Sequence, residues 1–137
     1  ETIMPAIERA KKAGLLVHTF WILGFPGETR EEMQKTIDFA MQCGADSFSF
    51  SVLAALPGTP IYRQACKEKL WWDGRESFNS LRSSLLKVDG FDNPESFEKF
   101  VYDANIKANL LLKEKDPARF SYKYGKNVSE RNLMKQT

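Results

Sequence analysis

An α/β fold with parallel strands is what this sequence predicts, and three observations carry that prediction. The first is the run Leu15 to Leu23, nine residues of apolar, aromatic and β-branched character broken only by His18 and Thr19 and cut off by Gly24-Phe25-Pro26-Gly27. A run of that length ended by Gly and Pro reads as a buried parallel strand. The second is Ser47-Phe48-Ser49-Phe50-Ser51-Val52, a strict alternation of serine with large apolar residues. Its period of two is that of a strand with one polar and one apolar face. The third is the helical pattern between them. Strand, helix and strand joined by short links make a βαβ unit, which demands a parallel pair and a right-handed crossover.

Taken in order, the chain opens with a helix over Pro5 to Ala13, with Ile7, Ala10 and Ala13 on one face and Gly14 as a left-handed C-cap. After the first strand, Thr29-Arg30-Glu31-Glu32 is a capping box worth about 1 kcal/mol to the helix it starts. That helix is predicted over Arg30 to Cys43, with Met33, Ile37, Ala40 and Met41 as its apolar stripe and Gly44 as its end. The second strand is read from Asp46 to Leu53. Thr59 followed by Pro60 starts a third helix, Ile61 to about Leu70. Trp71-Trp72-Asp73-Gly74 breaks it, and the Trp pair is read as a packing anchor. Ser77 to Val88 is predicted helical on Phe78, Leu81 and Leu85. Asn93-Pro94-Glu95 opens the longest helix, Pro94 to Lys115, with Phe97, Phe100, Val101, Ala104, Ala108 and Leu111 as its stripe. Asp116-Pro117 stops it, and the remainder is read as a solvated tail.

Composition bounds the functional classes. Of 137 residues, 42% are hydrophobic and 28% charged, and the net charge is +2, ordinary values for a globular domain. No whole-chain polyelectrolyte partner follows from that balance. From Lys113 onward, seven basic residues stand against three acidic, a local +4. Interleaved with Phe120, Tyr122 and Tyr124, that tail has the composition of a nucleic-acid contact, but a solvated terminus is the better account and no nucleic-acid partner is expected. Cys43 and Cys66 fit no metal spacing and are expected to be reduced, as in the cytoplasm. No apolar run approaches membrane-spanning length. The opening Glu1-Thr2-Ile3-Met4-Pro5 enters a helix abruptly, which suggests a piece of a longer protein.

Both strand ends carry a Pro/Gly turn followed by a capped helix, the place where α/β proteins position ligands. Amides of such turns favour anions, and glycine allows a flat ring to approach. His18, the only histidine, sits mid-strand and has no second metal ligand near it in sequence. No Ser/His/Asp set, paired carboxylates or Walker loop is present.

The segments Phe20-Trp21-Ile22-Leu23-Gly24-Phe25-Pro26-Gly27-Glu28-Thr29 and Ser51-Val52-Leu53-Ala54-Ala55-Leu56-Pro57-Gly58-Thr59-Pro60-Ile61-Tyr62 resemble the C-terminal half of the radical S-adenosylmethionine enzymes. The likeness is greatest to the branch with an N-terminal cobalamin-binding domain, which includes the anaerobic magnesium-protoporphyrin monomethyl ester cyclase. Members read F-x-I-L-G-x-P-G-E-T on the fifth strand of a partial (β/α) barrel and P-x-P-G-T-x-L-Y after the sixth. The resemblance covers about residues 1–65 and implies the C-terminal portion of that barrel. Residues 66–137 would then be an α-helical extension with a basic tail.

By that resemblance Phe20, Ile22 and Gly24 pack against the adenine of S-adenosylmethionine, with Ser51 and Leu53 lining the same pocket from the second strand. His18 and Ser49 would line the substrate chamber. Phe20 stands where many members have glycine, and Ala55 replaces the usual first proline of the second motif. The C-x-x-x-C-x-x-C loop is absent, and radical generation in this family needs a [4Fe-4S] cluster held by three thiolates. The implied parent therefore carries the cluster on its N-terminal remainder, the expected partner of this chain, together with a small-molecule substrate and, in that branch, cobalamin. This chain alone is expected to be non-catalytic and to self-associate. The alternatives are a methylthiotransferase-like or coproporphyrinogen-oxidase-like member, or a non-catalytic βαβ binding or assembly module.

Overall fold

The computed structural model describes residues 3–72 and 83–124, the last four by backbone alone. It is a mixed α/β structure. The order is α1 (Ile3–Lys12), β1 (His18–Leu23), α2 (Arg30–Gln42), β2 (Ser47–Val52), α3 (Pro60–Glu68), α4 (Pro94–Lys115) and α5 (Pro117–Tyr124). The two strands pair in parallel, His18 opposite Ser47 through to Leu23 opposite Val52. The expected βαβ unit is therefore present, with each strand trimmed at its N-terminal end.

One face of this two-stranded sheet carries the core. Leu23, Phe48, Phe50 and Val52 pack with Met33, Ile37 and Ala40 of α2 and with Phe97, Val101, Ala104 and Ala108 of α4. Nine of these are less than 5% exposed. The apolar period of each helix is thus buried against the apolar period of the strands. A smaller core under the C-terminal ends of the strands joins Leu53, Ala55, Ala65 and Leu86, flanked by Ile61, Leu70 and Trp71.

Two expectations are corrected. The region predicted as a helix over Ser77 to Val88 lies outside the described residues up to 82, and from Ser83 onward it is extended. Leu86 forms an antiparallel bridge with Trp71, secured by bonds from Trp72 N–H to Leu85 C=O and from Lys87 N–H to Leu70 C=O. Phe78, Leu81 and Leu85 do have helical spacing. The competing signal is that Leu85, Leu86 and Val88 are all buried, a crowding that suits an extended segment crossing a core. The second correction is α5. Asp116-Pro117 does end α4, but the segment read as tail begins a new helix there: Asp116 accepts from Arg119 N–H, Pro117 takes the first turn where its missing N–H costs nothing, and Phe120 is 3% exposed. The first part of the tail is therefore packed.

Candidate functional site: the open sheet face

Parallel registration places directly opposed residues on the same face. The structure brings His18, Phe20 and Ile22 of β1 together with Ser47, Ser49 and Ser51 of β2, on the face that α2 and α4 do not cover. The first strand is accordingly buried on one side only: Phe20 is 79% and Ile22 48% exposed, while Leu23 is 0%. Phe20 and Ile22 thus form an exposed apolar pair beside the serines of β2.

The polar half of this face is organised. His18 Nδ1 lies 2.7 Å from Ser47 Oγ, and His18 Nε2 lies 3.0 Å from Ser49 Oγ. The imidazole meets the Phe20 ring edge to face, centroids 4.5 Å apart. Ser51 Oγ donates to the Trp21 carbonyl at 3.5 Å. At the strand entrance, Asp46 accepts from Val17 N–H at 2.7 Å and pairs with Lys11 at 3.2 Å and Arg119 at 3.9 Å. Burial alone would raise the Asp46 carboxyl, but the Val17 amide and the two cations outweigh it, and the group titrates below the usual carboxylate range. Arg119 also donates to Ser47 Oγ at 3.4 Å.

Two of the predicted pocket residues are turned elsewhere. At Gly24 the backbone leaves the strand with φ +89°, and a Cβ there would sit 2.6 Å from Phe97 Cζ. Both the left-handed conformation and the close approach of Phe97 require glycine. Packing against α4 thus accounts for this residue by itself. Leu53, 6% exposed, is buried in the smaller core against Ala65 and Leu86. Phe20, Ile22, Ser51, His18 and Ser49 share the open face; Gly24 and Leu53 do not.

The turn amides expected to favour an anion are already engaged. Glu28 accepts from Gly24 N–H at 2.8 Å and from Phe25 N–H at 3.1 Å, so the protein's own carboxylate fills that nest. The α2 N-terminus is closed by the Thr29–Glu32 capping box. The second turn is similar: Thr59 N–H bonds Leu56 C=O across Pro57-Gly58, and Thr59 Oγ1 caps Tyr62 N–H. Both loops are tight turns in which the amides of Gly24, Phe25, Thr59 and Tyr62 are used internally.

Sequence reasoning missed Asp46, Arg119 and Glu28. A glutamate one residue before the N-cap threonine was the available signal for Glu28. For Arg119 the only hint was Asp116-Pro117, which ends α4 as expected and also starts a further helix. Among the described residues no group of three or more His, Cys, Asp or Glu side chains is placed to hold a metal ion. Cys43 is buried and Cys66 exposed, both as free thiols. The donor set of these residues therefore does not fit an iron–sulfur cluster. No helix among the described residues is long and apolar enough to cross a membrane.

The chain is 40% identical over 67 residues to an uncharacterized methyltransferase of Pyrococcus horikoshii, covering 49% of this chain and 15% of that protein. It is 31% identical over 113 residues to the cytidylyl-2-hydroxyethylphosphonate methyltransferase of Streptomyces wedmorensis, covering 74% of this chain and 21% of that protein. A tRNA-2-methylthio-N(6)-dimethylallyladenosine synthase from Lachnoclostridium phytofermentans is 27% identical over 117 residues, 82% of this chain and 26% of that enzyme. These relatives support the radical S-adenosylmethionine superfamily. They do not single out its cobalamin-binding branch. The chain spans about a quarter or less of the length of these three relatives. No family model matches, and no solved structure matches significantly.

Proposed function

We propose that this chain is the C-terminal part of a radical S-adenosylmethionine enzyme's barrel, with the open sheet face as one wall of the reaction chamber. The observation that carries the reading is the shared face of Phe20 and Ile22 with Ser49 and Ser51, uncovered at the strand pair whose motifs resemble that family. Phe20 and Ile22 suit the flat, apolar edge of an adenine, and Ser51 offers it a polar neighbour. His18 and Ser49 face the substrate. Bound S-adenosylmethionine, reduced by a [4Fe-4S] cluster on the N-terminal remainder, would supply the radical chemistry; this chain's part is to shape and line the pocket. Gly24 and Leu53 contribute to that wall by holding the strand ends against their two cores. In the cobalamin-binding branch the parent is a methyltransferase or oxidative cyclase, an oxidoreductase acting on a small molecule in the cytoplasm.

The reading is tested on the full-length parent. Ile22→Ala and Ser51→Ala are expected to weaken S-adenosylmethionine binding about tenfold each by calorimetry, with cluster absorbance unchanged. Unaltered affinity in both would remove the face from the cofactor pocket. Anaerobic reconstitution of the 137-residue chain alone is expected to give no stoichiometric cluster. A second reading, a methylthiotransferase, is favoured by matches such as that to the Bordetella avium tRNA-2-methylthio-N(6)-dimethylallyladenosine synthase, 47% identical over 53 residues. The sequence upstream in the parent gene separates the two through the presence or absence of a cobalamin domain.

A further inference from the structure

We propose that Arg119 fixes the direction of a hydrogen-bonded line, Arg119–Ser47–His18–Ser49, and so turns the Ser49 hydroxyl outward as a donor. The open face then becomes a site for a ligand bearing an acceptor oxygen. A guanidinium has donors only, so at 3.4 Å Ser47 Oγ accepts from Arg119. The Ser47 hydrogen is left for His18 Nδ1, 2.7 Å away. An imidazole that accepts at Nδ1 carries its proton on Nε2 when neutral. Nε2–H therefore donates to Ser49 Oγ at 3.0 Å, and the Ser49 hydrogen finds no acceptor among the described residues. It belongs to the half-exposed end of the line.

The opposite polarity is disfavoured at the other end. There His18 Nδ1–H and Arg119 would both donate to Ser47, whose own hydrogen would be stranded on a residue 6% exposed. A buried hydroxyl without an acceptor is the costlier arrangement. Arg119 is itself held by the Asp46 carboxylate and by its place in the first turn of α5. It acts as a positioning residue through Ser47, the buried end of the line. Ser51 completes the pattern, because its hydrogen is committed to the Trp21 carbonyl. A ligand lying over Phe20 and Ile22 thus meets a donor at Ser49 and lone pairs at Ser51.

The proposal deepens the chamber-wall reading and rests on it for the ligand's place, but its test uses the 137-residue chain without any cofactor. Long-range nitrogen–proton NMR, recorded well above the imidazole's ordinary pKa of about 6.5, reports which ring nitrogen of His18 is protonated. The expected result is the Nε2–H tautomer in the unaltered chain and in Arg119→Lys, with a mixture in Arg119→Gln, whose amide can both donate and accept. An Nδ1–H tautomer in the unaltered chain, or an Arg119→Gln chain indistinguishable from it, overturns the proposal. Dimethyl sulfoxide, a neutral acceptor without donors, is the ligand probe. It is expected to give saturable shifts at the Ser49 and Ile22 amides that are lost in Ser49→Ala. Equal shifts in that variant would mean that apolar contact alone holds the probe, which overturns the ligand class. If the tautomer and probe results hold while Ile22→Ala and Ser51→Ala leave S-adenosylmethionine affinity in the parent unchanged, the cofactor reading alone fails.

Discussion

The two faces of one small sheet have opposite character although they are built from alternate residues of the same twelve. On one, Leu23, Phe48, Phe50 and Val52 are sealed under α2 and α4. On the other, Phe20 and Ile22 stand in the open beside a serine row wired through His18. Burial is concentrated on the first face, and the second leaves its apolar pair exposed. Register separates them, since a slip of one residue would exchange every side chain between core and solvent.

Measurements that would break this contrast run from large effects to small. Phe97→Ala removes a ring with 0% exposure and is expected to cost about 3–5 kcal/mol in denaturant unfolding, whereas Phe20→Ser on the open face should fall within about 0.5 kcal/mol of zero. Comparable costs for the two would mean that the open face is covered in solution. Gly24→Ala is expected to cost about 2–4 kcal/mol, combining a left-handed backbone with a Cβ driven against Phe97. Gly58→Ala, with φ +88° but nothing within 4 Å of the added carbon, should cost only the conformational part, about 1–2 kcal/mol.

Asp46→Ala leaves the Val17 amide and two cations without their carboxylate, with an expected loss of about 1–3 kcal/mol at neutral pH. Its folded pKa lies below the unfolded value, so the folded state binds fewer protons. That stabilisation is fully present above the ordinary carboxylate range and is lost as pH falls through the folded value, below about 4. An acid titration of stability should therefore be shallower in the Asp46→Ala chain. Asn105→Leu should be the mildest core-side change, about 1 kcal/mol, from the loss of its bonds to the Phe50 backbone.

The sheet, its two capped helices and the 22-residue α4 were legible because each is written in local chemistry. Thr29 with Glu32, Thr59 with Pro60 and Asn93 with Pro94 mark helix starts within one residue, and the Ser/Phe alternation gives both strand and face. The members of the open face were legible by parity as far as the strands last. Parity failed at Gly24 and Leu53 because both lie where the backbone leaves the strand, and there the next packing partner decides direction. Phe97 and Leu86, which decide it, are more than thirty residues away in sequence. Arg119 escaped for the same reason: its partners Asp46 and Ser47 are brought to it by the packing of α4 and α5, which no local pattern specifies. The Ser83–Val88 stretch shows the converse, a helical spacing overruled by a bridge to Trp71.

Asn105 gives the sheet an orientation that its two strands alone would lack. Its side-chain amide bonds both the N–H and the C=O of Phe50, at 2.9 Å each, on the side of β2 away from β1. It imitates a neighbouring strand and occupies the place one would take. Ladder alternation turns the backbone groups of Phe20 and Ile22 outward along β1, where addition remains open. Growth by strand addition is thus one-sided. In a parent barrel β2 would be the last stave and β1 would receive the one before it. For the chain by itself, pairing through β1 across a two-fold axis leaves a capped margin at each end of the assembly, so self-association is expected to stop at two copies instead of propagating into a fibre.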